Sequence, residues 1–278
     1  MLPLFQKMAR IWNRLKSVLV GCAPHGFVET RRRLLRLRGL GLVPSAAQSH
    51  DCEAAVDACR FDLWPLFLRH SSDWILIDVG ANDGDFIRAA TQLSKPAAVV
   101  AFEPLPTCQK ILAPLLAIIP GGQLVRAAAG ATAGEVELNC TYNTKMSSVL
   151  TPQEGIEASY ARGDYTVVEK MWAPMVRLDD VIEPNARVGL LKIDVQGYEI
   201  EVLHGATRTL GQTEALLIEV NYTQHYNRAV AFDELHAFLN MAGFHLYGIS
   251  APYGNAERPL WADAMYVHSI EPKVSDSN

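Results

Sequence analysis

The stretch from Trp74 to Phe86 leaves few folds open to this chain. Four apolar residues, Trp74 to Ile77, run into Asp78, and Gly80 and Gly84 then bracket a polar turn before Phe86, Ile87, Ala89 and Ala90 begin a helical pattern. A buried parallel strand that breaks into such a turn lets backbone approach a nucleotide-like ligand, because glycine has no Cβ to obstruct it. A second apolar run, Val99 to Phe102, ends at Glu103 and Pro104. Glu103 follows Asp78 by 25 positions, near the roughly 20-residue spacing at which an acid meets ribose hydroxyls in βαβ units. The turn reads Gly-x-x-x-Gly, so it lacks the Gly-x-Gly-x-x-Gly pattern that seats a dinucleotide pyrophosphate.

The same alternation continues along the chain. Helical stretches at 52–69 and 84–94 enclose the strand 74–79, and a strand at 97–103 leads through a helix at 107–118 to a strand at 123–128. Segments 135–140 and 165–177 are strand-like and flank a polar loop, and a short helix follows at 178–183. The strand 188–194, a helix at 199–210, the strand 214–220, a helix at 231–241 and strands at 244–249 and 263–268 complete the pattern. Strands alternating with helices predict an α/β fold with a mostly parallel sheet covered on both faces. Ligands of such sheets bind beyond the carboxyl ends of the strands. Asp78, Glu103 and Asp194 stand at those ends and Glu219 nearly so. A buried carboxylate is costly unless it is paired or bound, so the set predicts a ligand site.

Length and charge set the outline. The 278 residues suit one large domain with an appendage. The net charge of −5 hides a polarity: residues 1–44 hold nine Lys or Arg against Glu29 alone, hence +8, which leaves −13 for the remainder. Residues 2–19 read as an amphipathic helix with Leu4, Phe5, Met8, Ile11, Trp12, Leu15, Val18 and Leu19 on one face and basic residues at its edges. Such a helix suits a membrane surface, with contact through residues 1–20, or packs on the domain or on a second copy of the chain in a homo-oligomer. The Gly-, Pro- and Ala-rich segment 39–49 reads as a linker, which divides the chain into an arm at 1–48 and a main domain at 49–278. Five scattered cysteines without a Cys-x-x-Cys pair argue against a disulfide framework and a structural zinc site. No apolar run reaches the roughly 18 residues that a membrane span needs, and Lys7, Arg10, Arg14 and Lys16 interrupt any signal peptide. A cytoplasmic protein is expected, either free or peripheral at the inner membrane surface.

The segments Ile77–Gly84, Ala101–Pro104, Ser147–Ser148, Leu190–Glu199 and Leu203–Ala206 resemble, in order and spacing, the signatures of FkbM-type S-adenosylmethionine-dependent methyltransferases. The resemblance runs over about residues 72–225, and Gln196 stands where the family commonly has Glu. It implies a Rossmann-like class I methyltransferase fold and S-adenosyl-L-methionine as cofactor. It places the methionine part and amino group of that cofactor against the turn of Asp78, Gly80, Ala81, Asn82, Gly84 and Phe86, the ribose on Glu103, and the adenine near Leu105 and the turn after the strand 123–128, with Pro104 also among the cofactor-binding residues. A carboxylate with two acceptor oxygens suits both ribose hydroxyls.

Transfer of a methyl group to a hydroxyl needs alignment and a base or metal. Asp194 is the first residue expected to act as base, and His225, after the last core strand, could reach the same rim. Each also has a plainer reading: Asp194 as an orienting group, His225 as a loop residue. Asp194, Glu219 and Asn221 offer oxygens of the kind Mg²⁺ accepts, although their spacing does not establish a metal site. Ser147, Ser148, Tyr198 and Glu219 are the residues expected around the acceptor. The acceptor expected from the family is a small molecule or glycan: a sugar, a glycolipid or polysaccharide component, or a natural product. No nucleic acid partner is expected. A nicotinamide-dependent oxidoreductase and a non-catalytic cofactor-binding module are the alternative readings.

Overall fold

The computed structural model describes residues 73–93, 95–156, 165–250, 252–255 and 258–268. The amphipathic arm, the linker, the helix at 52–69 and the division after residue 48 all lie outside the described residues. The described elements run in the order β1 (Ile75–Val79), α1 (Asp85–Leu93), β2 (Ala98–Phe102), α2 (Pro106–Ala117), β3 (Gly122–Val125), β4 (Ala128–Ala129), β5 (Gly134–Thr141), a 3-10 turn (Thr144–Met146), β6 (Val167–Val176), α3 (Leu178–Val181) and β7 (Val188–Ile193). After β7 come α4 (Glu199–His204), α5 (Thr207–Gly211), β8 (Thr213–Asn221), α6 (Phe232–Met241), β9 (Phe244–Ile249), β10 (Tyr253–Asn255) and β11 (Arg258–His268).

Among the described residues the main sheet has eight strands, with β3, β2, β1, β7 and β8 parallel in that spatial order. β11 joins β8 antiparallel, and β9 and β10 pair with the far side of β11. Strand order therefore reverses between β1 and β7. Right-handed crossovers leaving that point in opposite directions send their helices to opposite faces. Strand alternation agrees. Ile77, Val79, Val100, Phe102, Leu191, Ile193, Leu216 and Ile218 share one core with Val202 and Leu203 of α4 and with Leu235 and Leu239 of α6. The register partners Leu76, Val99 and Leu190 face the other way. Ile87 and Ala90 of α1 and Leu112 and Leu116 of α2 are buried outside that core. The expected α/β, Rossmann-like architecture is thus present.

Three elements differ from the sequence pattern. The strand expected at 123–128 ends at Val125, and Ala128–Ala129 joins a second sheet, ordered β4-β6-β5, whose β5–β6 pair is an antiparallel hairpin. The polar Arg126 lies between the two short strands, where the chain leaves one sheet for the other. The single helix expected at 199–210 is two helices broken at Gly205. A Cβ built there would lie 2.0 Å from the Gly130 carbonyl oxygen, so close backbone approach ends the first helix. β10 had no counterpart in the sequence pattern.

Candidate functional site

The reversal point between β1 and β7 gathers the acids. β1 runs into a turn in which Gly80, Asn82 and Gly84 have φ of 79°, 46° and 83°. These left-handed values are cheap for glycine and tolerable for asparagine. At Gly80 space matters as much as conformation, because a Cβ would sit 1.9 Å from the Asp194 carbonyl oxygen. The two turns beyond β1 and β7 therefore touch through backbone.

Glu103, one residue past β2, ties the first turn down. Its Oε2 accepts the Asn82 backbone N–H at 2.8 Å and its Oε1 accepts that of Leu105 at 2.7 Å. The Gly80 and Ala81 N–H groups donate to the Phe102 carbonyl. Burial pushes the Glu103 carboxyl up to about 7, against the pull of those two N–H donors. Leu105 is buried beside it, and Pro104 is half-buried. Gln109 of α2 donates to the Glu103 and Pro104 carbonyls and accepts from the exposed Arg126.

Asp78 is fully buried. Burial raises its proton affinity, opposed by the ammonium of Lys192, whose Nζ lies 3.6 Å from Oδ1. Neither carboxylate oxygen has a hydrogen-bond partner among the described residues. Lys192 is its register partner across β1 and β7. The Lys192 ammonium also reaches Asp194 Oδ2 at 3.1 Å and lies over the Phe86 ring, 5.5 Å from its centroid. Burial works against the charge on Lys192, but Asp194 and Asp78 together outweigh it and hold the ammonium more tightly protonated than a free lysine.

Beyond β7 the acids are knitted by side chains. Gln196 Nε2 donates to Asp194 Oδ1 at 2.9 Å and to Glu219 Oε2 at 3.0 Å. Burial, then Asp194, Glu199 and Asp263, raise Glu219 well above the ordinary glutamate range. Glu199 Oε1 accepts the Val195 and Gly197 N–H groups, and burial pushes this carboxyl up to about 7. The Asp194 side chain remains 35% exposed and is the accessible carboxylate of the group.

The other predicted residues are spread around this rim. Ser148 is buried, donating its Oγ to the Gln196 carbonyl and accepting from the Leu150 N–H. Ser147 Oγ accepts from the Thr141 N–H. Both hydroxyls therefore hold the loop after β5 in place. The Tyr198 ring lies toward Gly130, where a built Cβ would be 3.3 Å from Cε1. His225 is 1% exposed, and its Nδ1 lies 3.2 Å from the Tyr165 hydroxyl, so its ring sits inside the fold instead of on a surface loop. Asn221 Oδ1 is buried without a hydrogen-bond partner among the described residues. No group of three or more His, Cys, Asp or Glu side chains among the described residues is arranged to hold a metal ion.

Lys192, Tyr226 and the segment 144–146 carry no expected role in the sequence pattern, yet they belong to the site. Lys192 had a signal, its place two residues before Asp194 on the same strand. Tyr226, whose hydroxyl lies 2.7 Å from Met146 O and 3.0 Å from Gln196 Oε1 and shares its one hydrogen between them, had none. Segment 144–148 straps both turns together. Thr144 meets Asn82, Lys145 meets Asp85, Met146 O accepts from Tyr226, and Ser148 reaches Gln196.

The methyltransferase FkbM domain matches residues 78–246. Methyltransferase sdnD of Sordaria araneosa is 32% identical over 157 residues, which cover 48% of this chain and 61% of that protein. The chain thus spans about three-fifths of the length of this curated relative. The crystal structure of methyltransferase FkbM from Methylobacillus flagellatus aligns with 85% of this chain and 59% of its own, at 15% identity and a TM-score of 0.48. Magnesium protoporphyrin IX methyltransferase from Synechocystis, solved with bound SAM, aligns with 88% of this chain and 92% of its own, at 11% identity and a TM-score of 0.43. With its domain match running from Asp78 at the end of β1 to Leu246 in β9, the chain belongs to the FkbM methyltransferase family, whose cofactor is S-adenosyl-L-methionine.

Proposed function

We propose that the protein is an O-methyltransferase that moves a methyl group from S-adenosyl-L-methionine to a hydroxyl of a sugar, a glycolipid or polysaccharide component, or a natural product. The observation that carries this reading is the accessible Asp194 carboxylate beside the buried Asp78, across the point where strand order reverses. The residues present suit the cofactor. Asp78 offers buried acceptor oxygens without hydrogen-bond partners to an ammonium. Gly80 lets the chain turn where no Cβ fits, and Glu103 has lone pairs left for two ribose hydroxyls.

When bound, S-adenosyl-L-methionine supplies an electrophilic methyl group on a sulfonium. Asp194 takes the proton that an acceptor hydroxyl loses as it attacks. Lys192 and Gln196 hold the two oxygens of that carboxylate, each of which keeps a lone pair for the acceptor. Among the described residues no helix is long and apolar enough to cross a membrane. The basic arm at 1–20 directs the proposal toward a glycan or a lipid-linked acceptor.

Two measurements test this reading. Calorimetry with S-adenosylmethionine, S-adenosylhomocysteine and NAD should show binding of the sulfur compounds, and binding of NAD alone would overturn it. Labelled-methyl transfer to a panel of hydroxylated glycans and lipids should then fall about 10²–10⁴-fold in Asp194→Asn with cofactor affinity retained. Undiminished turnover would remove Asp194 as base.

A further inference from the structure

Resting on the reading of Asp194 as base, we propose that Gln196 is a positioning residue whose amide nitrogen, held between Asp194 and Glu219, fixes the Asp194 carboxylate for proton transfer. The amide has two N–H hydrogens and two carboxylate acceptors, Asp194 Oδ1 at 2.9 Å and Glu219 Oε2 at 3.0 Å. Its oxygen lies 3.0 Å from the Tyr226 hydroxyl, whose one hydrogen is shared with the Met146 carbonyl at 2.7 Å. A reversed amide would set its oxygen against the Asp194 Oδ1 that its N–H now meets, which fixes the way the amide faces. The residue is 6% exposed and left-handed, with φ of 58°, and its backbone carbonyl is held by Ser148 Oγ at 2.8 Å. Backbone and side chain are therefore both pinned.

Gln196 and Lys192 grip opposite oxygens of Asp194, so the plane of the carboxylate is set from two sides. Gln196 stands where the family commonly has Glu, and it places a donor among acidic neighbours. Asp78 lies across Lys192, Glu199 lies on α4, and Glu219 faces Asp263 across β8 and β11. An acid at 196 would bring a further carboxylate against Asp194 and Glu219, with no hydrogen to give either when ionised. An apolar side chain of equal length would leave Glu219 Oε2 without its donor.

The test uses the full chain with ¹³C-labelled aspartate carboxyl carbons, with and without S-adenosylhomocysteine. The Asp194 resonance is identified by its loss in Asp194→Asn. Gln196→Met removes both donors while keeping length, and Gln196→Glu adds the charge. Tyr226→Phe leaves the amide in place but frees its oxygen, and so keeps the proposal testable if the Gln196 variants do not fold. The single Asp194 line of the wild type should be displaced in both Gln196 variants and moved less, in the same sense, in Tyr226→Phe. S-adenosylhomocysteine affinity should stay within about twofold, because none of the hydrogen-bond partners of Gln196 (Asp194, Glu219, Tyr226 and Ser148) belongs to the turn of residues 78–84. A resonance that stays in place in Gln196→Met and in Tyr226→Phe overturns the positioning role. Failure of S-adenosylhomocysteine to bind the wild type overturns the cofactor reading instead, and is read separately from the resonance.

Discussion

On the β1–β2 side of the rim, Glu103 is held by backbone N–H groups within its own turn and the neighbouring one. On the β7–β8 side, Asp194 and Glu219 are held by side chains drawn from β7, the turn after it and the loop beyond β8. The first arrangement suits a ligand that is always the same, since main-chain geometry depends little on which side chains vary around it. The second can be retuned by single substitutions, which suits the side that meets the acceptor. The two sides meet at Gly80, whose turn lies against the Asp194 carbonyl.

The largest effect should come from that contact. Gly80→Ala adds a Cβ 1.9 Å from a backbone oxygen at a φ of 79°. Overpacking against main chain together with the left-handed backbone should cost about 3 kcal/mol, read by urea denaturation. Gly84→Ala is the contrast. Its Cβ meets the side-chain ends of Leu115 and Leu112, at 2.6 and 2.9 Å, and these can move. Gly84→Ala should therefore cost less. Equal losses would mean that the two turns are not in rigid contact.

Glu103→Ala separates the two sides by function. Losing a charged acceptor should weaken S-adenosylhomocysteine binding by about 1.5–3 kcal/mol, roughly 10- to 100-fold, in calorimetry. Unchanged affinity would mean that the ribose is placed elsewhere.

The difference between the two sides also explains what the sequence made legible. Strand β1, its turn and Glu103 were readable because a recurrent pattern spells them out, an apolar run, two glycines and an acid one strand further on, although Glu103 meets Asn82 across 21 positions. Asp194 was readable for the same reason. The Tyr226–Gln196 and Gln196–Glu219 contacts join residues 30 and 23 positions apart, and no periodicity encodes such pairs. Ser147 and Ser148 were legible as a motif, but their hydroxyls turn inward to hold their own loop and Gln196. His225 read either as a catalytic candidate at the rim or as a surface residue of a polar loop, and its burial on that loop was not legible because it depends on Tyr165, 60 positions away. The break at Gly205 and the departure of β4 to a second sheet likewise depend on partners distant in sequence, Gly130 and β6.

Protonation should distinguish the sides more gently. Burial pushes Glu103 and Glu199 up to about 7, above the ordinary glutamate value of 4.5. A carboxyl with a raised folded-state value binds more protons folded than unfolded, so stability falls as pH rises between those values. The folded chain should lose stability from about pH 5 to pH 8, and Glu199→Gln should flatten that slope by on the order of 1 kcal/mol. The amide oxygen of the variant can still accept the Val195 and Gly197 N–H groups. An unchanged slope would place the proton uptake elsewhere.

The smallest effect tests the strap that joins the two sides. Lys145 Nζ lies 3.1 Å from Asp85 Oδ2 and 3.9 Å from Asp83 Oδ2, but its side chain is 42% exposed. A solvent-screened pair of this kind is worth at most about 1 kcal/mol, and less in high salt. Lys145→Ala should therefore lower stability by under about 1 kcal/mol in denaturant titrations, with the difference shrinking as salt is added. The buried contacts of the strap, Met146 O with Tyr226 and Ser148 Oγ with Gln196, should then hold it in place without that charge. A larger, salt-sensitive loss would show that charge on the cofactor side, and not hydrogen bonding on the acceptor side, anchors the segment.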